Sequence, residues 1–109
     1  MRVLVCGGRD YKSYDSVYRE LLILAPTEVL NGGCPTGADA FARECAAKMQ
    51  LVCITVHAKW KHHGRAAGPL RNTIMLDDWS PDVVLAFPGG RGTDDMVSKA
   101  RAAGIEVII

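Results

Sequence analysis

An excess of one charge sign is missing from this chain of 109 residues: 13 Lys and Arg stand against 12 Asp and Glu, a formal net charge of +1. That balance excludes a bulk polycation that coats DNA or anionic membrane, while leaving room for a local anion site. Long apolar runs are missing too. None approaches the roughly 18–20 residues of a membrane span, and the opening Met1–Gly8 is too short an apolar stretch for a signal peptide. The four cysteines, Cys6, Cys34, Cys45 and Cys53, have no CxxC spacing, which argues against a zinc ribbon or a thioredoxin-like motif. Three of them fall in segments that read as strand or helix interior, where free cysteine behaves as a small hydrophobe. A reduced, cytoplasmic protein is the expectation. Aromatic residues make up 6% of the chain, few for a groove that stacks nucleic-acid bases. Repeats, low-complexity segments and linkers are absent, so residues 1–109 read as one domain.

What is present is an alternation of short apolar runs with helical periodicity. Arg2–Cys6 is an apolar run ended by Gly7-Gly8. Tyr14, Val17, Tyr18, Leu21, Leu22 and Ala25 follow helical spacing, and Pro26 closes that helix. Glu28–Asn31 is a second strand. Ala38, Phe41, Ala42, Cys45 and Met49 form another helical stripe, with Asp39/Arg43 and Glu44/Lys48 as i,i+4 pairs outside it. Leu51–Val56 is continuously apolar and β-branched, the pattern of a strand buried on both faces. His57–Gly68 lacks periodicity and reads as a long loop. Pro69 sits in the first turn of a helix running to about Asp78. Asp82–Phe87 is a fourth strand, Asp94–Ala103 a helix with Thr93 as N-cap and Gly104 in the C′ place, and Ile105–Ile109 a fifth strand.

Strands alternating with helices predict an α/β, Rossmann-like three-layer domain: a five-stranded parallel sheet of order 3-2-1-4-5. The switch point then lies between the first and fourth strands, where such sheets bind ligands beyond their carboxyl ends. Two loops are singled out, Gly7–Tyr11 and Pro88–Thr93.

Pro88-Gly89-Gly90-Arg91-Gly92-Thr93 combines a close-approaching backbone with the amide-rich start of a helix, a design that receives an anion such as phosphate. Asn31–Asp39 repeats the design with Gly32, Gly33, Thr36 and Gly37. Ala38-Asp39 stands where a Walker A loop needs Lys and Ser/Thr, so P-loop ATP hydrolysis is rejected. Asp39 reads two ways, as an acceptor of ribose hydroxyls or as a first-turn carboxylate complementing the helix dipole. From His57 to Arg71 there are four fixed cations (Lys59, Lys61, Arg65, Arg71) and no acid. Arg71, in a first helical turn, is unfavourable for the dipole, and a phosphate is the natural group to favour it. Trp60, like Tyr11, offers a stacking ring for a base or a packing ring for the loop. His57, His62 and His63 lack a completing Cys or acid, so no metal is expected.

These residues carry a resemblance. Val3–Tyr11, Gly33–Asp39, His63–Asn72 and Pro88–Thr93 resemble the motifs of the SLOG superfamily, which groups the DNA-processing protein DprA/Smf with the Lonely Guy phosphoribohydrolases. They are most similar to its YspA, cpYpsA-related branch. The resemblance implies a nucleotide-type ligand at the carboxyl edge of the sheet, and no further cofactor. Arg9, Arg71, Asn72 and the glycine amides would hold phosphate, and Asp39 and Asp10 would contact ribose. Lonely Guy enzymes carry Pro-Gly-Gly-x-Gly-Thr-x-x-Glu, and Met96 stands here in the glutamate's place. The expected function is therefore a nucleotide-binding sensor, carrier or sequestering module. Its alternative is a phosphoribohydrolase using Asp39, Asp10 or Asp95, and a weaker one is DprA-like single-stranded DNA binding. The apolar terminal strand at a sheet edge points to a homo-oligomer, with a symmetric dimer the expected form.

Overall fold

The computed structural model describes all residues, Met1–Ile109, in an α/β arrangement. The sheet is five-stranded and all-parallel, in the order β3-β2-β1-β4-β5. Its strands are β1 (Arg2–Cys6), β2 (Glu28–Asn31), β3 (Val52–Thr55), β4 (Val83–Ala86) and β5 (Glu106–Ile108). The helices are α1 (Tyr14–Leu24), α2 (Gly37–Lys48), the one-turn α3 (Trp60–His63), α4 (Ala67–Trp79) and α5 (Arg91–Ala102). No helix is long and apolar enough to cross a membrane.

Alternation along β1 divides the core. Val3 and Val5 point to one face, where Val29, Val83 and Leu85 join Val17, Leu21, Ala42 and Cys45 from α1 and α2. Leu4 points to the other, with Leu30, Val84, Met75 from α4 and Met96 from α5. Register aligns these layers, Val3 opposite Val29 and Val83, and Leu4 opposite Leu30 and Val84. A sheet covered on both faces needs apolar residues at every position of its central strands, and all four residues of β4 are buried.

Four expectations are corrected. Leu51–Val56 is apolar throughout, yet β3 is an edge strand, with Val52 57% exposed and Cys53 also exposed. A continuous apolar run cannot report whether a neighbour closes its outer side. The His57–Gly68 segment is not all loop: it holds α3 and a 3-10 turn at Gly64–Ala66, and α4 starts at Ala67 rather than Pro69. Arg71 therefore lies in the second helical turn, and the dipole argument for a phosphate partner weakens. In α5, Gly90 is the N-cap and Thr93 sits inside the first turn. Gly104, with φ +76°, does occupy the C′ position.

Candidate functional site

The carboxyl ends of β1, β2 and β4 lead into three loops, and hydrogen bonds join them in a closed circuit with α4. Gly8 N–H donates to the Pro88 carbonyl at 2.9 Å, tying the β1 loop to the β4 loop. On its other side, Gly8 accepts from Ala38 N–H at 3.3 Å, and Thr36 Oγ1 donates to the Arg9 carbonyl at 2.8 Å. Arg71 Nη1 donates to the Gly32 carbonyl at 2.5 Å, linking the β2 loop to α4. Asn72 Nδ2 closes the circuit at α5, donating to the Gly92 carbonyl at 3.2 Å and to Asp95 Oδ2 at 3.0 Å. Four segments separated in sequence thus share one edge of the sheet.

Close backbone approach explains two of the glycines. Gly37 has φ +73°, and a Cβ there would overlap the Gly8 carbonyl oxygen and lie 2.7 Å from Arg9 Cα. At Gly89 a Cβ would lie 2.7 Å from Gly8 N and overlap Thr93 Oγ1. Gly90 and Gly92 differ, because a Cβ at either would meet nothing within 4 Å. The start of α5 is open.

The two helix N-termini differ in how far the protein occupies them. In the β2 loop three amides are engaged, Gly33 N–H donating to Asn31 Oδ1 (2.9 Å), Cys34 N–H to Asp39 Oδ2 (3.1 Å) and Ala38 N–H to Gly8, while those of Thr36, Gly37 and Asp39 donate to no group of the protein. In α5 the amides of Gly90, Arg91, Gly92 and Thr93 donate to no group of the protein. Unbonded amides at a helix start carry partial positive charge and present donors to an anion.

Three charged side chains support the β2 loop, and two of the supporting residues escaped the sequence reading. Asn31 is fully buried; its Nδ2 donates to Thr55 Oγ1 (3.0 Å) and the Ile54 carbonyl (3.2 Å). Its Oδ1 accepts from Arg43 Nη1 at 3.0 Å, while Arg43 Nη2 donates to the Cys34 carbonyl at 2.7 Å. Arg43 is therefore turned onto the loop and is not the surface i,i+4 partner of Asp39 that its spacing predicts, whereas Glu44 and Lys48 do approach at 3.8 Å. A signal existed in Asn31, a polar residue closing an apolar strand. Arg43 left none, because its acceptors are a carbonyl and an amide oxygen.

Asp39 is buried in the first turn of α2. Burial raises its pKa, against the opposing pull of the Cys34 amide, Arg71 and Arg43. Burial likewise lowers the pKa of Arg71, with Asp39 opposing. The same environment pushes the Cys6 thiol up to about 12, through burial first and Asp39 second, which keeps it protonated and inert. Arg71 Nε also donates to Asn72 Oδ1 at 3.1 Å, and its Nη2 makes no hydrogen bond within the protein.

Other sequence candidates stand apart. Tyr11 packs on Phe87 with ring centroids 5.1 Å apart. Arg9 and Asp10 are exposed and border, with Tyr11, Lys12, Thr36 and Phe41, an open groove of about 560 Å³ on the α1–α2 side. Trp60 is 58% exposed and leans on Gly68, a Cβ at which would lie 3.3 Å from the indole. Asp95 accepts from Asn72 and pairs with Lys99 at 3.0 Å. Met96 is buried in the core with Leu4 and Val84, so the position of the hydrolase glutamate faces away from solvent. No three His, Cys, Asp or Glu side chains converge as a metal site would require.

A family model for the YspA, cpYpsA-related SLOG proteins matches residues 1–63. The chain belongs to that family. Gene 61 protein of Mycobacterium phage D29 is 39% identical over 119 aligned positions, covering 98% of this chain and 94% of that protein. The SLOG match carries the Gly7–Tyr11 and Asn31–Asp39 loops. Arg71 and Pro88–Thr93 lie beyond it, within the span shared with the phage protein. Membership of the SLOG family suggests a nucleotide-related function.

Proposed function

We propose that this SLOG protein binds a phosphate-bearing nucleotide or nucleotide derivative at the carboxyl edge of its sheet, as a sensor, carrier or sequestering module. The observation that carries the reading is the asymmetry within the circuit. At the start of α2 the Gly8 carbonyl takes the Ala38 amide and Gly37 is crowded by Arg9, whereas the first turn of α5 keeps the four amides of Gly90, Arg91, Gly92 and Thr93 unbonded with open space around Gly90 and Gly92. A phosphate accepted there satisfies those donors at little steric cost. Arg71, half-buried and with one guanidinium nitrogen unbonded, adds a charge-assisted donor, and Asn72 holds its Nε side in place. Asp39, whose charge acts on Arg71, is the group for the sugar, and Arg9 and Asp10 line the separate groove on the α1–α2 side.

A thermal-shift screen of the purified chain against nucleoside mono-, di- and triphosphates, cyclic dinucleotides and ADP-ribose derivatives tests this. A ligand bound by the native state raises Tm. Calorimetry on the best ligand should then show its affinity lost in Arg71→Ala. An unmoved Tm across the panel, or equal affinity in that variant, overturns the reading.

One observation favours a second reading, hydrolysis of an N-glycosidic bond. Asp39 is a carboxyl whose burial raises its pKa against the opposing charges of Arg71 and Arg43, and burial is what helps it hold a proton for a leaving base. Incubation with a mixture of nucleoside monophosphates, followed by chromatography for free base, separates the two. Base release abolished by Asp39→Asn supports an enzyme, and no release supports a binding module.

A further inference from the structure

We infer that Lys99 is a positioning residue for the anion site: by holding Asp95 it fixes the Asn72 amide, and through that amide keeps the charge of Arg71 free for a ligand. The inference rests on the nucleotide reading above for what Arg71 meets, but not for how Arg71 is held. Lys99 and Asp95 stand one turn apart on α5, the spacing of an ordinary helix-stabilising pair. Three observations set this pair apart. Lys99 and Asp95 are 32% and 29% exposed, against 58% and 56% for Lys48 and Glu44, a pair of the same spacing on α2. Lys99 Nζ also donates to the Pro69 carbonyl at 2.8 Å, which ties α5 to the first turn of α4. The Asp95 oxygen that takes Lys99 at 3.0 Å takes Asn72 Nδ2 at 3.0 Å as well.

Asn72 is buried, and its neighbours decide which way its amide faces. The Gly92 carbonyl and the Asp95 carboxylate only accept, so Nδ2 must face them, and Oδ1 must face the Arg71 Nε–H. That orientation holds the guanidinium at Nε. The Gly32 carbonyl holds it at Nη1, and Nη2 is left for a ligand. Lys99 also settles the charge. Asp95 lies within one turn of the unbonded amides of Gly92 and Thr93, and it contacts the other end of the amide that Arg71 contacts. Unpaired, its carboxylate would repel a phosphate at those amides and draw the Arg71 guanidinium onto itself. A lysine suits the task because its ammonium carries several donors, and here serves Asp95 and the Pro69 carbonyl at once.

Nuclear magnetic resonance of the full chain tests the inference with two readouts. One is hydrogen exchange of the Arg71 Nε–H; the other is titration of the Gly90, Gly92 and Thr93 amides with inorganic phosphate. Lys99→Met keeps an apolar stem and removes the charge. It should speed Arg71 Nε–H exchange about fivefold, the protection of one hydrogen bond, and weaken phosphate binding about fivefold. Lys48→Met on α2 should change neither. Lys99→Met combined with Asp95→Asn removes the stranded carboxylate, keeps an oxygen for Asn72, and should restore both values. Restoration separates positioning from mere support, since the lost Pro69 contact stays lost in the double variant. Unchanged exchange in Lys99→Met, or a double variant no better than the single one, overturns the inference. A wild type without phosphate shifts overturns the nucleotide reading instead, and the exchange rates then decide the inference alone.

Discussion

The two ends of one sheet are built on opposite terms. At the amino end, Arg2 closes every charge around it. Its Nε pairs with Glu28 at 2.5 Å, its backbone N–H donates to Asp82 Oδ2 at 2.7 Å, Nη1 donates to the Trp79 carbonyl, and the guanidinium stacks 5.5 Å from the Trp79 ring. At the carboxyl end, Arg71, Arg43 and Asp39 are supported by carbonyls, amide oxygens and an amide, and none forms an ion pair with another. Dipoles hold those charges in position without neutralising them, so their field stays available to a ligand. The amino end is arranged for stability, and the carboxyl end retains unspent charge and unspent amides.

Four substitutions break or sharpen this contrast. The most damaging places carboxyl-end chemistry in the core: Met96→Glu buries a carboxyl among Leu4 and Val84. It should cost about 4 kcal/mol in urea unfolding, without creating base release from nucleoside monophosphates. Gly37→Ala forces a Cβ onto the Gly8 carbonyl at positive φ, and should cost about 3 kcal/mol by the same measurement while splaying the β1 and β2 loops apart.

Arg2→Ala opens the amino end. It should cost about 2 kcal/mol, from lost charge-assisted hydrogen bonds, and leave the affinity for any nucleotide found by screening unchanged. An affinity change there would show that the two ends are coupled.

The smallest effect is expected from Asp39→Asn. Burial raises the folded-state pKa of Asp39 above its unfolded value, so the folded state holds the proton more tightly. The stability this contributes is present below the unfolded carboxylate pKa of about 3.9 and is lost as pH rises through the folded value. Asparagine keeps an acceptor for the Cys34 amide without the charge. The variant should therefore match or exceed wild-type stability at neutral pH, with its advantage shrinking on acidification. A wild type that gains stability relative to the variant as pH rises would mean that Arg71 and Arg43 outweigh burial.

Much of this was legible from residue order. Glu28–Asn31 was readable to the residue, and the strand order followed from the alternation of elements and the handedness of crossovers. The same reasoning brought Gly7–Tyr11 beside Pro88–Thr93, and the Gly8–Pro88 hydrogen bond joins them. Periodicity misled where exposure depends on neighbours, as at Val52 and Cys53 on the sheet edge. It also failed where side chains answer to backbone. Arg43 binds the carbonyl of Cys34 and Arg71 that of Gly32, and a carbonyl has no letter in a sequence.

Sequence alone determined the layers, the strand order and which loops crowd the switch point, because these follow from apolar period, glycine placement and chain chirality. Tertiary structure alone decided which donors remain free. Whether a helix start stays open depends on what packs against it: at α2 the Gly8 carbonyl takes the Ala38 amide and Arg9 crowds Gly37, whereas the space around Gly90 and Gly92 at α5 is open, although both helices follow glycine-rich loops of similar composition.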